Sequence, residues 1–120
     1  MKAGASVNLR SIFSTVVLAT GAVLAACEPA PAPANFVGTW KSSRSTNPLI
    51  LHANGDWEIR DSDDRVLQYG GWQLRGRTLI WSIKLDRQLQ QDPNAIVSMQ
   101  ADGFELRESN GSVTRFHRIK

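Results

Sequence analysis

The segment Thr78-Leu79-Ile80-Trp81-Ser82-Ile83-Lys84-Leu85 decides the fold of this chain. Its apolar residues at positions 79, 81, 83 and 85 recur with the period of two that is typical of a β-strand with one buried face. The preceding Arg75-Gly76-Arg77 is a tight turn, and residues 66–74 before it have strand character. The two segments therefore predict an antiparallel hairpin, and the second of them is the best core strand in the chain.

Short apolar runs separated by turn residues continue on both sides of this hairpin. Further strands are predicted over residues 36–41, 49–52, 57–60, 96–100, 104–108 and 113–119. Asn54-Gly55 predicts a hairpin with a type I′ turn, and Gly70-Gly71 predicts a bulge or sharp bend within its strand. Residues 87–94, which are rich in glutamine and contain Pro93, are interpreted as the longest break between strands.

About eight strands joined by short hairpins predict an all-β fold, a small antiparallel up-and-down meander. An open meander would leave two exposed edges that invite aggregation. Closure removes both edges and encloses an interior wide enough for packed side chains or one small ligand. We therefore expect residues 35–120 to form a closed or nearly closed barrel.

Residues 1–26 are organised like a lipoprotein signal peptide. Lys2 and Arg10 precede a charge-free apolar run over residues 12–24, which is shorter than the about 20 residues that a membrane-spanning helix needs. Leu24-Ala25-Ala26-Cys27 matches the bacterial lipobox, so the start of the chain resembles a lipoprotein precursor that is cleaved between Ala26 and Cys27. The alternative is an ordinary secreted protein with a buried or free cysteine.

The resemblance to lipoproteins implies that Cys27 is lipidated. A diacylglycerol would be joined to its sulfur by a thioether, and a fatty acid such as palmitate would acylate its amine; each buried CH₂ contributes about 0.8 kcal/mol to anchoring. An Asp after the Cys usually retains bacterial lipoproteins in the inner membrane. Glu28 stands there in this chain, so the expected location is the periplasmic face of the outer membrane.

Residues 27–34 are interpreted as a linker, because Pro and Ala alternate after Glu28. Each Pro removes an amide donor and favours extended geometry in the residue before it. We therefore expect a semi-rigid stalk with a rise of about 3.1 Å per residue.

The mature chain is nearly balanced in charge. Removal of Lys2 and Arg10 from the 14 basic residues leaves 12, against 11 acidic residues, and no basic tract remains. This distribution argues against a nucleic-acid partner. Because the single cysteine, Cys27, is assigned to the lipid, no disulfide supports the domain, and large side chains must form its core.

The two ends of the domain carry a resemblance to a known family. Phe36-Val37-Gly38-Thr39-Trp40 resembles the Gly-x-Trp motif that opens lipocalins, and Thr114-Arg115-Phe116-His117-Arg118 ends the chain with basic residues. The domain is thus similar to small lipocalin-like, calycin-type barrels of bacterial lipoproteins. The resemblance implies a structural signature of Gly38, Trp40 and Arg118, in which Arg118, or else Arg115, packs on Trp40. The domain is about half as long as a full lipocalin, which argues against a large ligand cavity.

Three tryptophans are the candidate ligand-lining residues: Trp57, Trp72 and Trp81. The alternative, which we favour, is that they fill the interior, because aromatic side chains bury the most area. No zinc site is assigned to His52 and His117, because such a site needs three or four ligands. The acidic turn of Asp61, Asp63 and Asp64 lacks the ligand order of a calcium loop.

No catalytic, metal or cofactor site is assigned. Glu58, Glu105 and Glu108 are interpreted as outward, solvated side chains opposite the apolar positions, and the chain has no Gly-x-Ser-x-Gly nucleophile elbow. We expect a non-catalytic lipoprotein of the cell envelope that binds a small apolar ligand or serves as an envelope scaffold. The alternative is a protein-binding accessory or an enzyme inhibitor in the periplasm.

Overall fold

The computed structural model describes residues 30–120, which form eight antiparallel strands closed into a barrel in sequence order. The strands are β1 (Gly38–Ser42), β2 (Leu49–Leu51), β3 (Asp56–Arg60), β4 (Val66–Arg75), β5 (Thr78–Leu85), β6 (Gln88–Gln100), β7 (Gly103–Arg107) and β8 (Val113–Arg118). The predicted all-β, up-and-down barrel is therefore confirmed. The predicted signal peptide (1–26), Cys27 and the start of the linker lie outside the described residues.

The first and last strands close the barrel. β1 pairs with β8 in antiparallel register, with Trp40 opposite Arg118 and Ser42 opposite Phe116. Every other strand pairs with its neighbours in the sequence. Closure satisfies the backbone groups that an open meander would leave unpaired at its two edges.

The prediction of a break over residues 87–94 is wrong. β6 pairs with β5 from Gln88 opposite Leu85 to Ala95 opposite Thr78, so only Asp86 and Arg87 lie between the strands. Asp86 has a φ of 57° and supplies, without a glycine, the positive φ that a two-residue hairpin requires. Pro93 lies in the part of β6 that pairs with β5 alone, an edge position where strands tolerate proline.

Of the bulge or sharp bend predicted at Gly70-Gly71, the bulge is absent. Both glycines pair in continuous register with β3 and with β5. The register shifts lie elsewhere, between Ile59 and Arg60 in the β3–β4 pair and between Ile96 and Ser98 in the β6–β7 pair.

The hairpin at Asn54-Gly55 is present, but its turn type differs from the prediction. Only Gly55 has a positive φ (95°), and its amide donates a hydrogen bond to the carbonyl of His52 at 3.1 Å. The loop is thus a β-turn that ends on a left-handed residue rather than a type I′ turn. The same arrangement occurs in the loops that end at Asp64 (φ 65°) and Gly111 (φ 91°).

A short 3₁₀ helix, Pro33–Asn35, precedes the first strand. The amide of Asn35 donates to the carbonyl of Ala32 at 2.9 Å, and the amide of Phe36 donates to that of Pro33 at 3.0 Å. The expectation of an extended linker up to residue 34 therefore fails for its last two residues. Proline is tolerated here because the first position of a helical turn needs no amide donor. Within residues 30–120 no helix is long and apolar enough to cross a membrane.

The core is apolar and rich in aromatic side chains. Its buried members are Phe36, Trp40, Leu49, Leu51, Trp57, Trp72, Leu79, Ile96, Phe104, Leu106 and Phe116. Phe104 makes an edge-on contact with Trp40 at 4.7 Å between ring centroids and with Phe36 at 5.0 Å. These three rings fill the end of the barrel at which the chain enters β1, and we call this end the floor.

Candidate functional site

The end of the barrel opposite the floor contains a cavity of about 470 Å³. It lies where the β1–β2, β3–β4 and β7–β8 loops and the β5–β6 turn gather. Its apolar wall consists of Leu49, Trp57, Ile59, Trp81, Ile83 and Phe116. Its polar wall consists of Ser42, Arg44, Ser45, Asn47, Gln68, Asp92, Asn94, Glu108 and Thr114. A cavity of this volume lies within the range of about 300–1,000 Å³ that is typical of small-molecule sites.

Three aromatic rings form one continuous side of the cavity. Trp57 and Trp81 meet nearly at right angles, with an interplanar angle of 84° and centroids 6.1 Å apart. Phe116 follows, with its centroid 6.4 Å from that of Trp81. Nε1 of Trp57 donates a hydrogen bond to the carbonyl of Ser82 at 3.3 Å, which fixes the plane of that ring.

A polar pair on β6 holds the second tryptophan. Asn94 is only 3% exposed, and its Oδ1 accepts a hydrogen bond from Nε1 of Trp81 at 2.9 Å. Nδ2 of Asn94 in turn donates to Oδ1 of Asp92 at 3.3 Å. Asp92 is the cross-strand partner of Trp81, so the indole and the carboxylate line the cavity from adjacent positions.

The interpretation that the three glutamates point outward is wrong for Glu108. Its side chain lines the cavity and is 13% exposed. It forms an ion pair with Arg44 from the β1–β2 loop and accepts a hydrogen bond from the hydroxyl of Thr114, which is itself buried. Period-two continuation from Phe104 and Leu106 places residue 108 on the inner face.

The predicted ligand-lining tryptophans are divided between the two ends of the barrel. Trp57 and Trp81 line the cavity, whereas Trp72 does not. Trp72 packs against Phe36 with centroids 6.2 Å apart, and its Nε1 donates to the carbonyl of His52 at 3.0 Å. Trp72 thus belongs to the packed interior, the alternative that the sequence left open for all three.

The residues of the structural signature meet at the floor. Cζ of Arg118 lies 4.2 Å from the centroid of the Trp40 ring, and Trp40 is fully buried. The Arg118 guanidinium also donates to the carbonyls of Val37 (2.9 Å), Ala101 (3.0 Å) and Asn35 (3.1 Å). The partner of Trp40 is therefore Arg118 and not Arg115.

Gly38 makes room for this arginine. Its φ of 145° disfavours residues with a Cβ, and a Cβ built there would collide with the Arg118 guanidinium and lie 3.0 Å from the carbonyl of Lys120.

The other two glutamates take part in ion pairs on the outside of the barrel. The side-chain hydrogen bond from Arg60 lowers the pKa of Glu58, and His52, at 3.1 Å, acts in the same direction. The hydrogen bond from Arg115, helped by that from Ser98, lowers the pKa of Glu105. These two side chains lie on the outer face as interpreted, but Glu58 is not freely solvated, because its side chain is only 15% exposed beneath Arg60 and His52.

The acidic β3–β4 turn is balanced by neighbouring arginines. Arg60 pairs with Asp64 at 3.1 Å, and Arg65 pairs with Asp61 at 3.4 Å and with Asp63 at 3.2 Å. His117 lies on β8 with an exposed side chain. Among residues 30–120, no group of three or more His, Cys, Asp or Glu side chains is arranged to hold a metal ion.

Comparison with protein-family models, curated proteins and solved structures found no match for this chain. The site therefore has to be interpreted from its own residues.

Sequence reasoning missed the polar half of this site. Asp92 and Asn94 fall in the segment interpreted as a break, where Pro93 and the neighbouring glutamines hide a strand pattern. The signal was the period of two at residues 92, 94 and 96. Once β6 begins at Gln88, these three are the less exposed positions, and residues 91, 93 and 95 between them are exposed. Arg44 could not have been found in this way, because it lies in a loop without periodicity.

Proposed function

We propose that this protein is a lipid-anchored lipoprotein of the cell envelope whose lipocalin-like barrel binds a small, largely apolar ligand. The observation that carries the ligand-binding part is the cavity of about 470 Å³, bordered by Trp57, Trp81 and Phe116. Burial of apolar ligand surface contributes about 25 cal/mol per Å² to the free energy of binding. Aromatic side chains provide such surface with little loss of side-chain conformational entropy.

The proposal is one of binding rather than catalysis. A carboxylate that acts as an acid or base needs a free proton-transfer position in reach of the substrate. Of the two cavity carboxylates, Glu108 is held by Arg44 and by the hydroxyl of Thr114, and Asp92 accepts a hydrogen bond from Nδ2 of Asn94. This arrangement stabilises the mouth of the cavity and supports a binding site.

The anchor and the cavity mouth would lie at opposite ends of the molecule. Ala30 and Pro31 lie beside Arg77 and Ala101, which belong to turns at the floor. A lipid on Cys27 would therefore hold the floor toward the membrane and direct the mouth away from it. In the proposed outer-membrane location the mouth would face the periplasm, so ligand would enter from the aqueous side.

Titration of tryptophan emission tests ligand binding. The full chain, reconstituted in phosphatidylcholine vesicles, would be titrated with a panel of short-chain fatty acids, alcohols and amines. We expect saturable changes that are lost when Ile83 is replaced by Trp to fill the cavity, and retained when the exposed Val97 is replaced by Trp as a control. Absence of a saturable change across the panel would refute the ligand-binding proposal.

The anchor has its own test. Mass spectrometry of the mature protein from a bacterial envelope should show a chain that begins at a diacylated and N-acylated Cys27. The Cys27→Ser variant should remain uncleaved and unmodified. An unmodified thiol on Cys27 would refute the anchor and leave ligand binding untouched.

A second function, a protein-binding accessory or inhibitor, is favoured by apolar residues that the barrel leaves exposed. Tyr69 on β4 is 73% exposed and Leu89 beside the β5–β6 turn is 66% exposed. In-envelope cross-linking of the protein, with Tyr69→Ser as the comparison variant, would test it. One dominant protein partner that is lost in the variant would favour this function over the ligand carrier.

A further inference from the structure

The charges that line the cavity do not balance. Two carboxylates, Asp92 and Glu108, and one guanidinium, Arg44, border it. Arg44 is paired with Glu108, which also accepts the hydroxyl hydrogen of Thr114. In the part of the chain that the structure describes, no basic side chain forms an ion pair with Asp92. The cavity wall thus keeps one negative charge whose partner is a neutral amide.

Aromatic surface lies directly beside that charge. Trp81 is the cross-strand partner of Asp92, and Trp57 meets Trp81 edge to face. Both indole N–H groups are used within the protein, by the carbonyl of Ser82 and by Oδ1 of Asn94. The rings therefore have no free N–H to offer a ligand and would contact it through carbon, and an indole face attracts cations within about 6 Å of the ring centroid.

We propose that the cavity selects ligands that carry an ammonium group on a short apolar chain. The inference rests on the ligand-binding function proposed above and names the class of ligand. The cationic head would lie between the carboxylate of Asp92 and the face of Trp81. The chain would extend along Leu49, Ile59 and Ile83, the aliphatic residues of the wall.

The geometry favours a cation over the two other classes of head group. A fatty-acid carboxylate placed near Trp81 would face Asp92 at close range, and like charges in a site of reduced dielectric repel strongly. The one guanidinium of the wall is already paired with Glu108. A neutral alcohol would meet no repulsion, but it would forgo both the ion pair and the cation–π attraction.

Three probes with the same hexyl chain test this preference: hexyltrimethylammonium, hexan-1-ol and hexanoate. The full chain in phosphatidylcholine vesicles would be titrated with each, with tryptophan emission as the readout and vesicles alone as the blank. We expect hexyltrimethylammonium to bind about tenfold more tightly than hexan-1-ol. The Asp92→Asn variant removes the ion pair and keeps the aromatic faces, so it should lower this ratio several-fold.

Asp102→Asn is the matched control, because it removes the same charge from the β6–β7 turn at the floor. It should leave the cation preference intact. If hexan-1-ol or hexanoate binds as tightly as the cation, the ammonium inference is wrong and the ligand-binding function stands. If the Asp92→Asn variant prefers hexyltrimethylammonium over hexan-1-ol as strongly as the unmodified protein does, Asp92 is not the recognition site. If none of the probes or the wider panel binds, both proposals fail.

Discussion

The indole of Trp57 lies directly over Gly70 of the neighbouring strand. A Cβ built at Gly70 would come within 2.7 Å of Nε1 of Trp57, and it would also collide with the carbonyl of Ser82 that this nitrogen contacts. The glycine therefore has a packing role, because it lets a cavity-lining tryptophan lie flat on the sheet.

The first prediction concerns this contact. Gly70→Ala should destabilise the barrel by about 2 kcal/mol through overpacking and should displace Trp57, which urea unfolding and near-ultraviolet circular dichroism would detect. Gly71→Ala is the matched control, since its nearest neighbour would be 3.4 Å away. Equal stability of the two variants would contradict the packing role.

The second prediction concerns the floor. Arg118→Ala removes the cation over Trp40 and leaves three carbonyls without their donor. We expect a loss of about 2–3 kcal/mol in the free energy of unfolding. Arg118→Lys should recover only part of this loss, because an ammonium cannot reach three carbonyls as the planar guanidinium does. Full recovery by lysine would show that charge alone is required.

The third prediction concerns Asn94. Replacement by Ala leaves Nε1 of Trp81 without its acceptor at a partly buried position and should cost about 1 kcal/mol. The measurement is a double-mutant cycle with Trp81→Phe, in urea unfolding. If the hydrogen bond is the cause, Asn94→Ala should cost much less in the Trp81→Phe background. An undiminished cost would assign the effect of Asn94 to packing instead.

The fourth prediction concerns pH. The pKa of Glu105 is held below its ordinary value of 4.5, first by the hydrogen bond from Arg115 and then by that from Ser98. Its contribution to stability is therefore present above the ordinary pKa and is lost as the pH falls through the lowered pKa. Glu105→Gln should have a lower urea midpoint than the unmodified protein at about pH 7, and the difference should shrink progressively as the pH falls below the ordinary pKa of the carboxyl.

The Arg115→Ala variant tests the cause of this pH effect. In its background, Glu105→Gln should produce a much smaller pH-dependent difference in the urea midpoint, because only the hydrogen bond from Ser98 still lowers the pKa of Glu105. A difference that persists at acid pH would mean that the carboxylate is not stabilised by its ion pair.

The barrel itself could be predicted because its signals are local. Period-two alternation in β5 and glycine or asparagine at the hairpin turns identify strands and their order, and short connections leave few topologies. The contact of Arg118 with Trp40 was expected only from the resemblance of the two ends of the domain to lipocalins, which also left Arg115 as a choice, and not from these local signals. The error over residues 87–94 arose because Asp86 adopts a positive φ that glycine usually supplies.

The cavity could not be predicted, because it depends on which inward side chains stop short of the barrel axis. The sequence by itself determined an all-β chain with eight strands, since these follow from spacing and residue type. Only the tertiary structure decided that Trp72 packs at the floor while Trp57 and Trp81 line a cavity, and that Asp92 lies beside an indole. Cross-strand register brings these residues together, and register is a property of the closed sheet rather than of any one strand.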